Sequence, residues 1–273
     1  MTNPKQLLDQ LEILPKKSLG QNFIHDPNVL EKIVTIADLG RDDTVLEIGP
    51  GTGALTEHLA PLAREVIAVE IDERMEPILQ ARFSPTSNVR VVFADILQTN
   101  LRELVPSNYV VVANLPYYIT SAILRHLLET DHRAKRLILT VQLEVAERLI
   151  AKPGDMSLLS VSVQYYAKPK IAARINKAVF YPRPDVDSAV VRLDTYDKPP
   201  VEVPSDEAFF RIVRAGFAQK RKQLKNSLGD TLPMSHDAAA ARIEQAGIDP
   251  RRRAETLTLQ EWAALSRSFA QGS

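Results

Sequence analysis

From Thr44 to Gln142 the chain alternates β-branched apolar runs with segments of helical spacing, and this alternation restricts the fold to a small set. Strand patterns fall at TVLEIG, EVIAVEI, VRVVFAD, YVVVAN and RLILTVQ; helical patterns fall at GALTEHLAPLA, DERMEPILQARF, TSAILRHLLE and EVAERLIAK. Two further strand patterns, LLSVSVQYYA and SAVVRLD, complete a predicted set of seven strands. Such alternation predicts an α/β domain, a mostly parallel sheet with helices on both faces. No long helix separates the last two strands, so one strand is expected to run antiparallel. Upstream, Asp26 and Pro27 stand as N-cap and first residue of a helix over HDPNVLEKIVTIADL.

The pattern changes at TYDKPPVEVPSD, where three prolines and scattered charges mark a linker. Beyond it, EAFFRIVRAGFAQ, HDAAAARIEQAG and TLQEWAALSRSFA read as helices, which predicts a catalytic domain over 1–197 and a small all-α domain over 198–273. The chain has no cysteine, so disulfides, thiolate catalysis and cysteine-held metals are excluded, and the five histidines are scattered, so no metal site is expected. Nothing resembles a secretory signal, and no apolar run approaches the roughly 18 residues of a membrane span. A soluble cytoplasmic protein is expected.

VLEIGPGTGALTEHLA sets Gly49, Gly51 and Gly53 between a strand and a helix, a turn that brings backbone close to a ligand. By itself such a turn is often only a tight turn, and its G-x-G-x-G spacing departs from the G-x-G-x-x-G of dinucleotide sites. The following strands end in Glu70, Asp95 and Asn114. Four strand ends carrying a glycine turn, two acids and an amide would lie along one sheet edge, where open α/β sheets bind ligands. The arrangement resembles the Rossmann-like fold of S-adenosylmethionine-dependent methyltransferases. That resemblance implies a glycine loop beside the methionine part (Gly49, Gly51), Glu70 on the ribose and Asp95 at the adenine.

The strand YVVVAN runs into Leu115-Pro116-Tyr117-Tyr118. Asn114-Leu115-Pro116-Tyr117 looks like the motif of enzymes that methylate exocyclic amines of nucleobases. Such an amine is a poor nucleophile because its lone pair is delocalised into the ring. Accepting both N–H groups, on the Asn114 side-chain oxygen and the Leu115 carbonyl, favours a more tetrahedral nitrogen whose lone pair faces the methyl donor. Pro116 would fix that carbonyl and Tyr117 would stack on the base. The competing reading makes Asn114 a helix cap and the tyrosines core.

KKSLGQNFIHD and VFYPRPDVDSAVVRL resemble two further signatures of the ribosomal RNA adenine dimethyltransferase family. The resemblance runs from about Lys16 to Phe269 and is nearest the small-subunit branch. It implies that Asn22 and Ile24 close over the cofactor, with Asn114 also touching it, and that Phe180 sits opposite Tyr117 against the target base. It further implies dimethylation of two adjacent adenosines in a hairpin loop near the 3′ end of 16S rRNA, within the assembling small subunit, by a monomer. Leu19 departs from the aromatic or basic side chain expected there. Rival readings are the antibiotic-resistance branch acting on 23S rRNA, an N6-adenine DNA methyltransferase and a non-catalytic assembly factor.

Lys+Arg and Asp+Glu both number 34, so only local clusters can attract RNA. Arg214, Lys220, Arg221, Lys222 and Lys225 lie in an acid-free stretch and are the expected phosphate contacts; Lys168–Pro184 and Arg251–Arg253 are further basic clusters.

Overall fold

Nine strands form in the computed structural model, which describes residues 4–270. They are β1 (Phe23–Ile24), β2 (Thr44–Ile48), β3 (Glu65–Glu70), β4 (Val89–Phe93), β5 (Val110–Asn114), β6 (Arg136–Gln142), β7 (Ala167–Ile175), β8 (Phe180–Tyr181) and β9 (Ser188–Thr195). Seven of them make one sheet in the order β4-β3-β2-β5-β6-β9-β7, while β1 and β8 pair as a separate antiparallel ribbon. Pairs among β2 to β6 are parallel, and β9 runs antiparallel to β6.

The apolar runs of β2 and β5 are buried along their lengths, as befits parallel strands covered on both faces. From β2 the chain moves outward to β3 and β4, then returns to β5 on the other side of β2. The order therefore reverses between β2 and β5, and that reversal opens a crevice at their carboxyl ends. Upstream, Asp26 caps helix Pro27–Ala37 by accepting the Asn28 amide at 2.9 Å.

Two elements differ from the sequence reading. LLSVSVQYY forms a helix, Leu158–Tyr166, closed by a capping box between Ser157 and Ser160. Its Leu/Ser/Val alternation has the period of a strand. The helix nonetheless buries Leu159 through Val163 as an unbroken run, so the apolar side chains need not confine themselves to one stripe. The sixth sheet strand is instead β7, in AKPKIAARI. As an edge strand it tolerates Pro169 and exposes Lys168, Lys170 and Arg174, so that in the sequence it stood out only as a basic cluster.

The chain divides into two compact units, one with residues up to 146 together with 168–195, the other with 147–167 together with 196 onward. Residues 147–167, expected within the catalytic domain, thus belong to the second unit. In that unit helix Asp206–Phe217 buries Phe209 and Phe210 against Tyr165, with ring centroids 4.6 and 5.2 Å apart. Tyr165 donates its hydroxyl to Asp206 at 2.6 Å. Helix Leu259–Ala270 supplies Trp262, which is fully buried. No helix among the described residues is long and apolar enough to cross a membrane.

Gly216 tests which effect wins in this unit. Helix propensity alone predicts that Gly216→Ala stabilises by about 1 kcal/mol. A Cβ there would lie 2.4 Å from Cη2 of the enclosed Trp262. Overpacking of a rigid ring should dominate, giving a net loss of about 1–2 kcal/mol in urea unfolding.

Candidate active site at the carboxyl edge of the sheet

Between β2 and helix Ala54–Leu59 the chain turns through the three glycines. Gly51 has φ +56°, and a Cβ there would lie 2.6 Å from the Phe23 ring, so only glycine fits. Its amide donates to Glu70 Oε2 at 2.9 Å, and the Asp72 amide donates to Oε1 at 2.9 Å. One carboxylate therefore ties the glycine loop after β2 to the turn after β3. Glu70 is buried, and burial pushes its carboxyl above the usual range, an effect the amide bonds only partly offset. Beyond β4, Asp95 caps the next turn, accepting from the Leu97 amide and from Gln98 Nε2, both at 2.9 Å.

At the end of β5, Asn114 Nδ2 donates to the Asn22 carbonyl at 2.7 Å. This bond orients the side-chain amide, and no described residue donates to Oδ1, which stays available as an acceptor. The Leu115 amide is held by the Thr140 carbonyl of β6 at 3.1 Å. The Pro116 carbonyl accepts from Thr120 Oγ1 at 3.1 Å. No side-chain cap closes helix Thr120–Leu128, so Asn114 is not a helix cap. Tyr117 meets Ser188 Oγ at 2.9 Å, and burial raises its phenol, which stays neutral at neutral pH.

Asn22, Gly49, Glu70, Asp95, Asn114 and Tyr117 line one cleft, together with Gly51, Leu115 and Pro116. Ile24 and Phe180 do not line it. They are register partners in the β1–β8 ribbon and are buried in a core cluster with Leu30 and Val190. The alternation of a strand explains the exchange: Ile24 faces inward, and its neighbour Phe23 reaches the cleft and covers Gly51. Among the described residues, no group of three or more His, Asp or Glu is placed to hold a metal ion.

The sequence reading missed Phe23, Gln21 and Glu47. Gln21 donates to Asp72 Oδ2 at 2.8 Å and joins the loop before β1 to the turn after β3. Glu47 sits in β2 beneath the glycine loop, its side chain facing a small cavity shared with Gly49, Thr52 and Asn114. An acid inside an apolar strand was the readable signal. Glu47 is 1% exposed, Oε2 has no hydrogen-bond partner, and desolvation pushes its carboxyl up to about 8.

The expected RNA contacts all lie in the second unit. Lys220, Arg221 and Lys222 occupy the exposed connection between helices Asp206–Phe217 and Leu224–Thr231. Lys222 pairs with Asp230 at 2.8 Å, and Arg214 lies 6.0 Å over the Phe210 ring. Lys225 is half-buried, and its amide donates to the Pro250 carbonyl.

A sheet reversing between β2 and β5, with a glycine loop, a strand-end acid and Asn-Leu-Pro-Tyr around one cleft, defines a methyltransferase of the S-adenosylmethionine-dependent class. Two solved structures share the fold. The 23S rRNA methyltransferase ErmE is 30% identical with a TM-score of 0.72, over 91% of this chain and 100% of that one. A dimethyladenosine transferase from Plasmodium falciparum is 28% identical with a TM-score of 0.78, over 91% and 98%. The chain belongs to the ribosomal RNA adenine dimethylase family, which matches residues 14–271. Curated relatives include the ribosomal RNA small subunit methyltransferases A of Moorella thermoacetica, 45% identical over 96% of this chain and 95% of the relative, and of a Geobacillus species, 44% identical over 97% and 95%.

Glu47 makes stability pH-dependent with a definite sign. Below its ordinary value of 4.5 both folded and unfolded states hold the proton. Between 4.5 and about 8 the unfolded chain ionises first, so stability falls as pH rises and levels off above that window. Glu47→Gln should flatten this decline and raise stability at pH 8 by on the order of 2–4 kcal/mol. Urea unfolding of both proteins at pH 5 and pH 8 measures it.

Proposed function

We propose that this cleft transfers methyl groups from S-adenosylmethionine to N6 of two adjacent adenosines near the 3′ end of 16S rRNA, giving N6,N6-dimethyladenosine. The single observation that carries the reading is the oriented Asn114 amide, with Nδ2 spent on the Asn22 carbonyl and Oδ1 left to accept. The residues present fit the cofactor. Each Glu70 oxygen keeps a lone pair beyond its amide bond for ribose hydroxyls, Asp95 stands at the next strand end for the adenine, and Gly49 opens onto unfilled space. When bound, that cofactor supplies an electrophilic methyl on a sulfonium.

The protein's own work is orientation. Asn114 Oδ1 and the Leu115 carbonyl accept the two N–H groups of the target amine and turn its lone pair out of conjugation. The neutral Tyr117 is no base; it presents its ring to the base while Ser188 holds its hydroxyl. Displacement at a sulfonium needs no strong general base or metal, so proximity and desolvation carry the rate. Phe180, buried here, anchors the β1–β8 ribbon from which Asn22 and Phe23 approach the site.

Choice of the small subunit is supported by the 44–45% identity to small-subunit enzymes against 30% to the 23S enzyme. The first unit carries the chemistry, and the helical second unit carries RNA contacts. A ribosomal substrate supports a cytoplasmic location. Incubation with small and large subunits lacking the modification, followed by mass analysis of nucleosides, tests the reading. Dimethyladenosine confined to 16S rRNA is expected, and methylation of 23S rRNA alone would reject it.

Asn114→Ala should lower kcat about 10²–10³-fold, as when one oriented polar contact to a reacting group is removed. Calorimetry should show cofactor affinity falling less than about tenfold, since the Asn22 carbonyl loses one hydrogen bond.

Replacing Lys220, Arg221 and Lys222 together by Glu should weaken subunit binding and flatten its log–log salt dependence by roughly 0.7–0.9 for each phosphate no longer neutralised. Cofactor affinity should not change. A salt titration with an unchanged slope would remove this connection from the RNA interface.

A further inference from the structure

We propose that the rim of the cleft carries a second nucleobase subsite, floored by the Tyr118 ring, that takes the base beside the one being methylated. Tyr118 is 60% exposed and is the only aromatic among the exposed large apolar side chains of the described residues. It shares the turn Tyr117–Ile119 with Tyr117, so it stands one residue from the ring that meets the target base. Its hydroxyl makes no hydrogen bond among the described residues, and its ring adds nothing to the core.

The ring is nevertheless held. Gly20, at φ +59°, has no Cβ; one built there would lie 3.2 Å from Cδ1 and 3.3 Å from Cε1 of Tyr118. The ring edge thus rests against Gly20, a residue that itself lines the cleft. A fixed, exposed ring at a substrate mouth loses little conformational freedom on binding. Its face suits any nucleobase, because stacking is tolerant of base identity. Consecutive nucleotides reach adjacent positions, so a base entering beside Tyr117 leaves its neighbour at Tyr118. The inference rests on the RNA adenosine reading above and adds to it a contact that discriminates a dinucleotide from an isolated adenosine.

The test measures kcat/KM for methylation of one target adenosine in small subunits reconstituted with RNA that is either intact or abasic at the adjacent nucleotide. On intact subunits, Tyr118→Ala should lose about 5- to 150-fold, the range of one base–aromatic stack. Tyr118→Leu, which keeps bulk against Gly20 without a ring, should lose as much, and Tyr118→Phe should match wild type. Cofactor affinity should be unchanged in all three. On abasic subunits wild type should fall by a similar factor, and Tyr118→Ala should cost nothing more. Wild-type rates for Tyr118→Leu on intact subunits, or equal losses on both substrates, would overturn the subsite. Absence of transfer by wild type to intact subunits would overturn the underlying reading and the subsite with it.

Discussion

Two backbone amides, of Gly51 and Asp72, converge on the Glu70 carboxylate, and the shape of the cleft depends on that convergence. A parallel sheet fixes strands but leaves the loops beyond their carboxyl ends without ladder partners. A buried acceptor with two oxygens solves this for two loops at once. The cost is desolvation, visible in the raised carboxyl of Glu70. The network continues through Gln21 to Asp72, and Asp72 accepts from Arg74 Nε at 2.8 Å. Although burial alone would raise the Asp72 carboxyl, the bonds from Arg74 and Gln21 bring it below the usual range.

A second strut, from Asn114 to the Asn22 carbonyl, crosses the cleft 92 residues apart in sequence. It links the segment before β1 to the end of β5. The two cleft-lining segments are therefore mechanically coupled: a change that loosens Asn22 also frees the Asn114 amide to rotate. The β1–β8 ribbon keeps that segment in place through Ile24 and Phe180, both sunk in the core. Phe23, between them and the glycine loop, completes the wall. Glu47 beneath the loop stands apart from this logic, since its buried oxygen lacks a partner and weakens the fold wherever it is ionised.

Much of this was legible in the order of the residues. Apolar runs with intervening helical spacing determined a parallel sheet, because only helices on both faces can cover such strands. Gly51, Glu70, Asp95 and Asn114 could be placed on one edge from strand ends alone, since parallel strands all point their carboxyl ends the same way. Family membership, too, rests on residues readable in line: Gly20-Gln21-Asn22-Phe23 and Asn114-Leu115-Pro116-Tyr117.

Only tertiary structure decided the rest. The Val/Ser alternation of 158–166 suits strand or helix, and burial around the helix chose helix. Edge position chose strand for 167–175 despite its proline and lysines. Which of Phe23 and Ile24 faces the cleft depended on pairing with β8, because a one-residue shift of register exchanges the two faces of a strand. Gln21 meets Asp72 across 51 residues of chain, and Asn22 meets Asn114 across 92. Local pattern carries information over a few residues, whereas a cleft is made where distant segments meet.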